Sequence, residues 1–254
     1  MNVIEALKSE TQQIYNQLDS FTEEWIENYI ASGGKVFCHK GCNNCCDLPV
    51  GMTLAEALLI SDNFNNDVVN EDKLRTYLDK LIKYVKESKT ELDYYKSRRI
   101  NIGMCPLLNE EGACSIHKKH PIPCRKTLSV LNHQFCKVEA INNLPPLEVL
   151  KYLDKVKSIS NVTGGRGHYV SETSNLGSYL QNSLRDSTKK LLGFDIFGDL
   201  TLMVFLAKQE EFIKVVTTKN VRKVTRYLQD NNLLHPYIIS IEQAKAKAKV
   251  KGFG

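Results

Sequence analysis

The segment FCHKGCNNCCDLPV, residues 37–50, carries Cys38, Cys42, Cys45 and Cys46, four thiols in nine positions. So dense a run leaves a chain few options: the sulfurs pair as disulfides, share a metal, or stand as buried or redox-active thiols. The other four of the eight cysteines are Cys105, Cys114, Cys124 and Cys136, with gaps of eight, nine and eleven residues, and none follows Cys136. The two groups read as one constellation.

Compartment decides between disulfide and metal. The opening MNVIEALKSETQQIY has acids early and lacks the apolar run of a secretory signal. The patch DLTLMVFLA, residues 199–207, falls far short of the roughly 18 apolar residues that a membrane helix needs. A cytoplasmic location is expected, where thiols stay reduced and a cysteine cluster reads as metal-binding. With 34 Lys and Arg against 29 Asp and Glu, the formal charge of +5 is mild. Neither nucleic acid nor a membrane is expected as a partner; a partner protein or a protein substrate is. The 42% hydrophobic and 25% charged content is ordinary for a globular chain.

Periodicity predicts a mostly α fold, with irregular, metal-organised cysteine-rich loops packed against a helical bundle. Ile4, Leu7, Ile14, Leu18, Phe21, Trp25 and Tyr29 place one amphipathic helix over residues 2–30, ended by Ser32-Gly33-Gly34. Thr53-Leu54-Ala55-Glu56 is a capping-box pattern opening a helix to about Asn63. A longer helix is expected over 71–98, on a stripe of Leu74, Leu78, Leu81, Ile82 and Val85. Residues 101–136 lose the periodicity, with Gly103, Pro106, Gly112, Pro121 and Pro123 among the cysteines. Helices resume over 147–158, 174–192, 199–217, 219–231 and 240–250, with NVTGGRGHYV (161–170) as a glycine-bearing loop and AKAKAKVKGFG as a frayed basic tail. The expected organisation is a cysteine-cluster metal-binding domain with flanking helices over 1–140 and a helical region over 141–254, packed on the first.

All eight cysteines, Cys38, Cys42, Cys45, Cys46, Cys105, Cys114, Cys124 and Cys136, are candidate metal ligands. A C-x2-C step turns tightly enough to aim two thiolates at one metal, and a C-x3-C step does the same across a helical turn. Adjacent Cys45 and Cys46 are expected to face different ways, so the set can hold one centre with spare thiols or two centres. Structural zinc usually shows paired C-x2-C knuckles. A compact run of three with a remote fourth is the more usual iron–sulfur arrangement, so a [4Fe–4S] cluster is favoured over Zn2+. His39, His117 and His120 are expected to be surface or hydrogen-bonding residues beside the thiols.

The motif CHKGCNNCC followed by MCPLLNEEGACSIHKKHPIPCRKTLSVLNHQFC resembles the cysteine-cluster family of zinc- or iron-chelating domain proteins. Its pattern, a C-x2-C-C core, a C-P-hydrophobic-Leu step and C-x-I-[YH]-x-x-[RKH]-P-x-x-C-R, falls here on Cys42, Cys45, Cys46, Cys105, Pro106, Leu107, Leu108, Cys114, Ile116, His117, Pro121, Cys124 and Arg125, with Cys136 as a later cysteine. This chain has His117 and His120 where the family often has Tyr and Arg. The family includes flagellin lysine N-methylases. The resemblance therefore implies a metal centre, and for those members S-adenosylmethionine as cofactor and a protein lysine as substrate. The likeness covers about residues 36–140 and names nothing for the rest of the chain.

Around the thiols, Arg125 either offsets thiolate charge and donates to sulfur or is a plain surface arginine. The prolines stiffen the loops before the ligands. No HExxH, P-loop or Ser-His-Asp order stands out, Gly164-Gly165-Arg166-Gly167 follows no clear strand, and Asp195 and Asp199 read as caps or surface acids. Two classes of function stay open: a metal-built platform for an enzyme, methyl transfer being the first case, or a non-enzymatic module in which zinc stabilises a partner-binding surface. Redox or metal handling by exchangeable thiols is a third.

Overall fold

The computed structural model describes residues 2–62, 71–137, 139–164 and 167–244. The fold is mostly α: among the described residues it has ten helices, one three-stranded sheet and one two-stranded sheet. None of the helices is long and apolar enough to cross a membrane. Helix α1, Val3–Ala31, is capped by Asn2 and buries Ile4, Leu7, Ile14, Tyr15 and Leu18. It lies against α2 (Leu54–Ser61) and α7 (Ser171–Leu192).

The capping box at the start of α2 is present: Glu56 N–H donates to Thr53 Oγ1 at 3.1 Å, and Thr53 N–H to Glu56 Oε2 at 2.9 Å. The helix ends at Ser61 with Asp62 as its cap, and Asn63 lies outside the described residues. The Glu56 carboxylate does more than close a cap. It is fully buried and also receives the Ile122 N–H at 2.7 Å, Gln181 Nε2 at 3.3 Å and the Tyr15 hydroxyl at 3.4 Å. One side chain so joins α1, α2, α7 and the short helix α5 (Ile122–Arg125) that carries Cys124.

Helices break where sequence periodicity alone runs on. The span expected over 71–98 is α3, Glu71–Glu87, then α4, Glu91–Ser97. The break is a second capping box, Thr90 with Asp93, whose local hydrogen bonds outcompete continuation. A wide π-type turn follows over Arg98–Ile102 and ends at Gly103 (φ 91°, ψ −155°), a conformation open only to glycine. The span expected over 199–217 begins with a strand residue and splits into α8 (Leu200–Lys208) and α9 (Glu210–Thr217) around Gln209, whose backbone is extended. Helices α6 (Pro146–Lys157) and α10 (Val221–Asp230) fall where expected.

The strands were the harder part to read. Residues 161–170 form not a bare loop but an antiparallel hairpin, β2 (Val162–Gly164) with β3 (Gly167–Val170), while Gly165 and Arg166 lie outside the described residues. The three-stranded sheet has the order β1 (Gly51–Thr53), β4 (Phe194–Asp199), β5 (Ile239–Gln243), all antiparallel. The helix expected over 240–250 is instead strand through Gln243; residues 245–250, and the tail beyond Ala244, lie outside the described residues. Gly193 (φ 86°) ends α7 in the left-handed conformation and turns the chain into β4. Acids hid β4: Asp195 is buried, not on the surface, and its Oδ2 takes Arg185 Nε at 2.7 Å.

Helix α8 is buried nearly all round, which explains its apolar sequence without a membrane. The main core draws on α1, α2, α3, α7, α8, α9 and α10, and takes in Leu107, Ile116 and Ile122 from the cysteine-rich stretch. Two smaller clusters pin that stretch to later residues, Leu128 and Val130 with Val170, and Leu131 with Tyr152 and Val156. The core thus draws on both sides of residue 140.

Replacing Glu56 by Gln puts an amide donor where two oxygens both accept. The variant should lose about 1–3 kcal/mol through an orphaned buried donor, read as a lower midpoint in urea denaturation. Unchanged stability would contradict its joining role.

Candidate metal centre

The cysteine loops have few ladders of their own, so individual hydrogen bonds hold them. Cys105 N–H donates to the Cys46 carbonyl at 2.8 Å, and Asn43 Nδ2 to the Gly112 carbonyl at 3.1 Å. Phe37 N–H reaches the Ser129 carbonyl at 3.0 Å, and Val170 N–H the Leu128 carbonyl at 2.9 Å. A small three-way pairing results: residue 37 on 129, and 129 bridged to Tyr169 of β3. Strand β3, beyond the cysteine-rich stretch, is part of the scaffold that holds it.

Arg98 ties the loops from below. Its Nη1 donates to the carbonyls of Gly103, at 3.0 Å, and Asp47, at 3.4 Å, the segments leading to Cys105 and away from Cys46. Its guanidinium lies 5.0 Å over the Tyr77 ring, and Nε faces Asp199 Oδ2 at 3.7 Å with both side chains 3% exposed. Asp199 is the expected cap, taking the Thr201 N–H at 2.9 Å, and it is a buried ion-pair partner as well. The neighbouring Arg99 pairs with Asp47 at 3.1 Å.

All eight thiols are free, and their mutual electrostatics sort them. Cys46 feels the charges of Cys105 and Cys124; Cys105 that of Cys114; Cys124 those of Cys105, Cys45 and Cys114. Cys38 feels Cys45 and Cys42, and Cys136 feels Cys45 and Cys38. Cys46, Cys105, Cys114 and Cys124 are linked in this way, and so are Cys38, Cys42, Cys45 and Cys136, but Cys45 also acts on Cys46 and Cys124, so the two groups overlap there. Cys45 and Cys46 share a hydrogen bond. Among the described residues no three His, Cys, Asp or Glu side chains converge closely enough to hold an ion. The donor set fits a thiophilic metal by its chemistry, eight thiols on neighbouring segments, while the sulfurs do not form a closed cage.

Burial governs the sulfurs as free thiols. It pushes Cys38 up to about 11 and Cys105 and Cys136 up to about 12, and raises Cys114 and Cys124. The hydrogen bond from Cys46 pulls Cys45 down to about 7. A desolvated thiol keeps its proton, so these positions become thiolates when a cation replaces it.

The neighbours differ from expectation in one instructive way. Arg125 neither stands on the surface nor donates to sulfur. Its side chain is 3% exposed, and it donates to the carbonyls of His120 and Lys118, both at 2.7 Å, and to Asp19 Oδ1 at 2.6 Å, with the Tyr15 ring 4.0 Å below. It clamps the loop before Cys124 onto α1. His39 and His120 behave as hydrogen-bonding groups, His39 Nδ1 meeting the Lys40 carbonyl at 3.0 Å and His120 Nδ1 that of His117, while His117 is exposed. Burial, with Arg125 nearby, holds His120 down to about 4.

Sequence reasoning missed His168. It is 2% exposed on β3, with Nε2 3.2 Å from Cys136 Sγ and Nδ1 2.7 Å from the Tyr152 hydroxyl. A lone histidine 32 residues from Cys136, in a stretch read as loop, gave no local signal. The alternation of His168 and Val170 inward was the only hint.

Comparison with known proteins bears on this arrangement directly. Residues 37–145 match the CxxCxxCC family model, described as a "Putative zinc- or iron-chelating domain". Residues 37–145, somewhat under half of the chain, are similar to that zinc- or iron-chelating cysteine-cluster family. The matched stretch of the chelating domain holds all eight thiols, Arg98 and Arg125; it does not reach Tyr152, His168 or Tyr169. No curated protein and no solved structure matches the chain.

Removing Arg98 leaves Asp199 charged and buried alone. Arg98→Met should destabilise the protein by about 3–5 kcal/mol, and Arg98→Met with Asp199→Leu should recover much of it, measured by chemical denaturation. A harmless single substitution would contradict the pair's role.

Proposed function

We propose that this chain is a metal-holding protein with two four-thiolate centres, Cys38, Cys42, Cys45 and Cys136 around one, and Cys46, Cys105, Cys114 and Cys124 around the other. The reading is supported by two loosely linked groups of sulfurs with Cys45 bordering both, on segments that the Cys105 N–H to Cys46 carbonyl bond and the Arg98 clamp hold together. The first set is a compact run of three with a remote fourth, the arrangement suited to a [4Fe–4S] cluster. The second is four widely spaced thiols, which suits tetrahedral Zn2+ or a second iron centre. In either case the metal replaces protons on desolvated sulfur and braces loops with little secondary structure, so its binding energy becomes folding energy.

One cavity supports a second, enzymatic reading. It has a volume of about 470 Å³ at the β1–β4–β5 sheet and is lined by Glu91, Tyr94, Tyr95, Phe197, Asp199 and Tyr237 among others. None of the described lining residues carries a positive charge, although Arg98 behind Asp199 offsets part of the acid. Carboxylates and aromatic rings suit a cation with an apolar body, such as a lysine ammonium or the sulfonium of S-adenosylmethionine. Methyl transfer to a protein lysine is therefore the first activity to assay, and a non-enzymatic partner-binding role is its competitor. Equilibrium dialysis with labelled S-adenosylmethionine separates them: enzyme requires binding that Glu91→Gln weakens, and no binding removes this reading.

For the metal reading, the chain isolated without oxygen should carry iron and acid-labile sulfide and give an electron paramagnetic resonance signal on reduction. Cys42→Ser should abolish that signal while the second metal persists, and Cys114→Ser should do the reverse. Loss of all metal in both variants would leave one centre instead of two. Protein with neither iron nor zinc would remove the reading altogether.

A further inference from the structure

We infer that His168, oriented by Tyr152, is a positioning residue for the Cys136 sulfur: its Nε2–H donates to the thiolate and so tunes a metal held there, from a part of the chain beyond the chelating domain. The inference rests on the metal-holding reading. Its geometry is independent of it: Nε2 lies 3.2 Å from Cys136 Sγ and Nδ1 lies 2.7 Å from the Tyr152 hydroxyl. The relative exposures of Cys136, His168 and Tyr152 are 7%, 2% and 4%.

The proton inventory gives the direction. A free thiol can donate, so without metal Cys136 S–H can point at a bare Nε2 while Nδ1–H donates to the Tyr152 oxygen. A metal-bound thiolate has no proton and only accepts. Nε2 must then carry the hydrogen, which leaves Nδ1 as an acceptor, and the Tyr152 hydroxyl is the group beside it that can donate. The chain Tyr152 O–H to Nδ1, Nε2–H to Sγ is therefore the arrangement that a metal selects, and it keeps His168 from acting as a ligand itself.

The backbone places this relay without slack. Cys136 closes a short 3-10 turn, His133–Cys136. His168 sits on β3, which is pinned by the Ser129–Tyr169 bridge and the Val170 N–H to Leu128 carbonyl bond. Tyr152 projects from α6 and packs with Leu131 and Val156, and its ring lies 5.0 Å from that of Phe135. Three separate elements thus converge on one sulfur. Polar groups behind a metal ligand typically change metal affinity about 10–100-fold when removed.

Cobalt(II) reports thiolate ligation whether the native metal is iron or zinc, so the test uses the reduced full chain titrated with cobalt(II) alone, without oxygen. The sulfur-to-cobalt charge-transfer absorption lost in Cys136→Ser identifies the centre concerned. His168→Ala should keep the cobalt stoichiometry, weaken that centre's affinity about 10–100-fold, and move its charge-transfer band to lower energy, because a sulfur without its hydrogen bond is more easily oxidised. His168→Gln, which can still donate, should restore the band in part, and Tyr152→Phe should shift it the same way by less. In the Cys136→Ser background His168→Ala should change nothing further. A His168→Ala chain with unaltered band and affinity would overturn the inference. So would loss of a whole cobalt equivalent, which would make His168 a ligand. Failure of the unmutated chain to take cobalt would instead sink the metal-holding reading.

Discussion

Loops have no hydrogen-bond ladder of their own, so eight thiols carried by loops and single short helical turns stay together because other groups reach in and take up the backbone. Three buried charged side chains do most of this. Glu56 accepts the Ile122 N–H that opens the turn bearing Cys124. Arg125 holds the carbonyls of Lys118 and His120 against α1. Arg98 holds those of Asp47 and Gly103 beneath Cys46 and Cys105. Each is costly to bury alone and has several partners, although Arg98 Nε meets Asp199 only as an ion pair at 3.7 Å. The helical bundle supplies their fixed positions, and the loops inherit that rigidity.

What these clamps cannot do is satisfy the sulfurs. Burial drives most of the thiols toward the protonated form, and a hydrogen bond joins Cys45 and Cys46. A thiophilic metal would turn this unfavourable crowding into bonds. On the metal-holding proposal the scaffold is built in two stages: packing and ion pairs bring the loops near one another, and a metal would close them.

The fold was legible where periodicity and caps speak locally. Helix α1, the capping box at Thr53 and the span of α6 could be read from their own residues. The misreadings share a cause, which is partners distant in sequence. Strand β5 pairs with β4 some 45 residues earlier, Phe194 opposite Gln243, and the acids of β4 are neutralised by Arg185 and Arg98, which periodicity does not reveal. The break at Thr90 was local and readable, since Thr90 and Asp93 make a capping box. At the site, spacing marked all eight cysteines, and the resemblance carried by Cys42, Cys45, Cys46, Cys105, Cys114 and Cys124 led to the family that the comparison found. The roles of Arg125 and His168 were not legible, because Asp19, Tyr152 and Cys136 lie far from them along the chain and only the folded contacts bring them near.

Hydrogen exchange of the full chain, metal-loaded against metal-stripped, tests the two-stage account most directly. It predicts that the amides of Phe37, Cys46, Cys105 and Ser129 lose protection when the metal is removed, while α7 and α8 keep theirs. Equal protection of the cysteine loops in both states would mean that the clamps alone hold them and that the sulfurs need no inorganic centre.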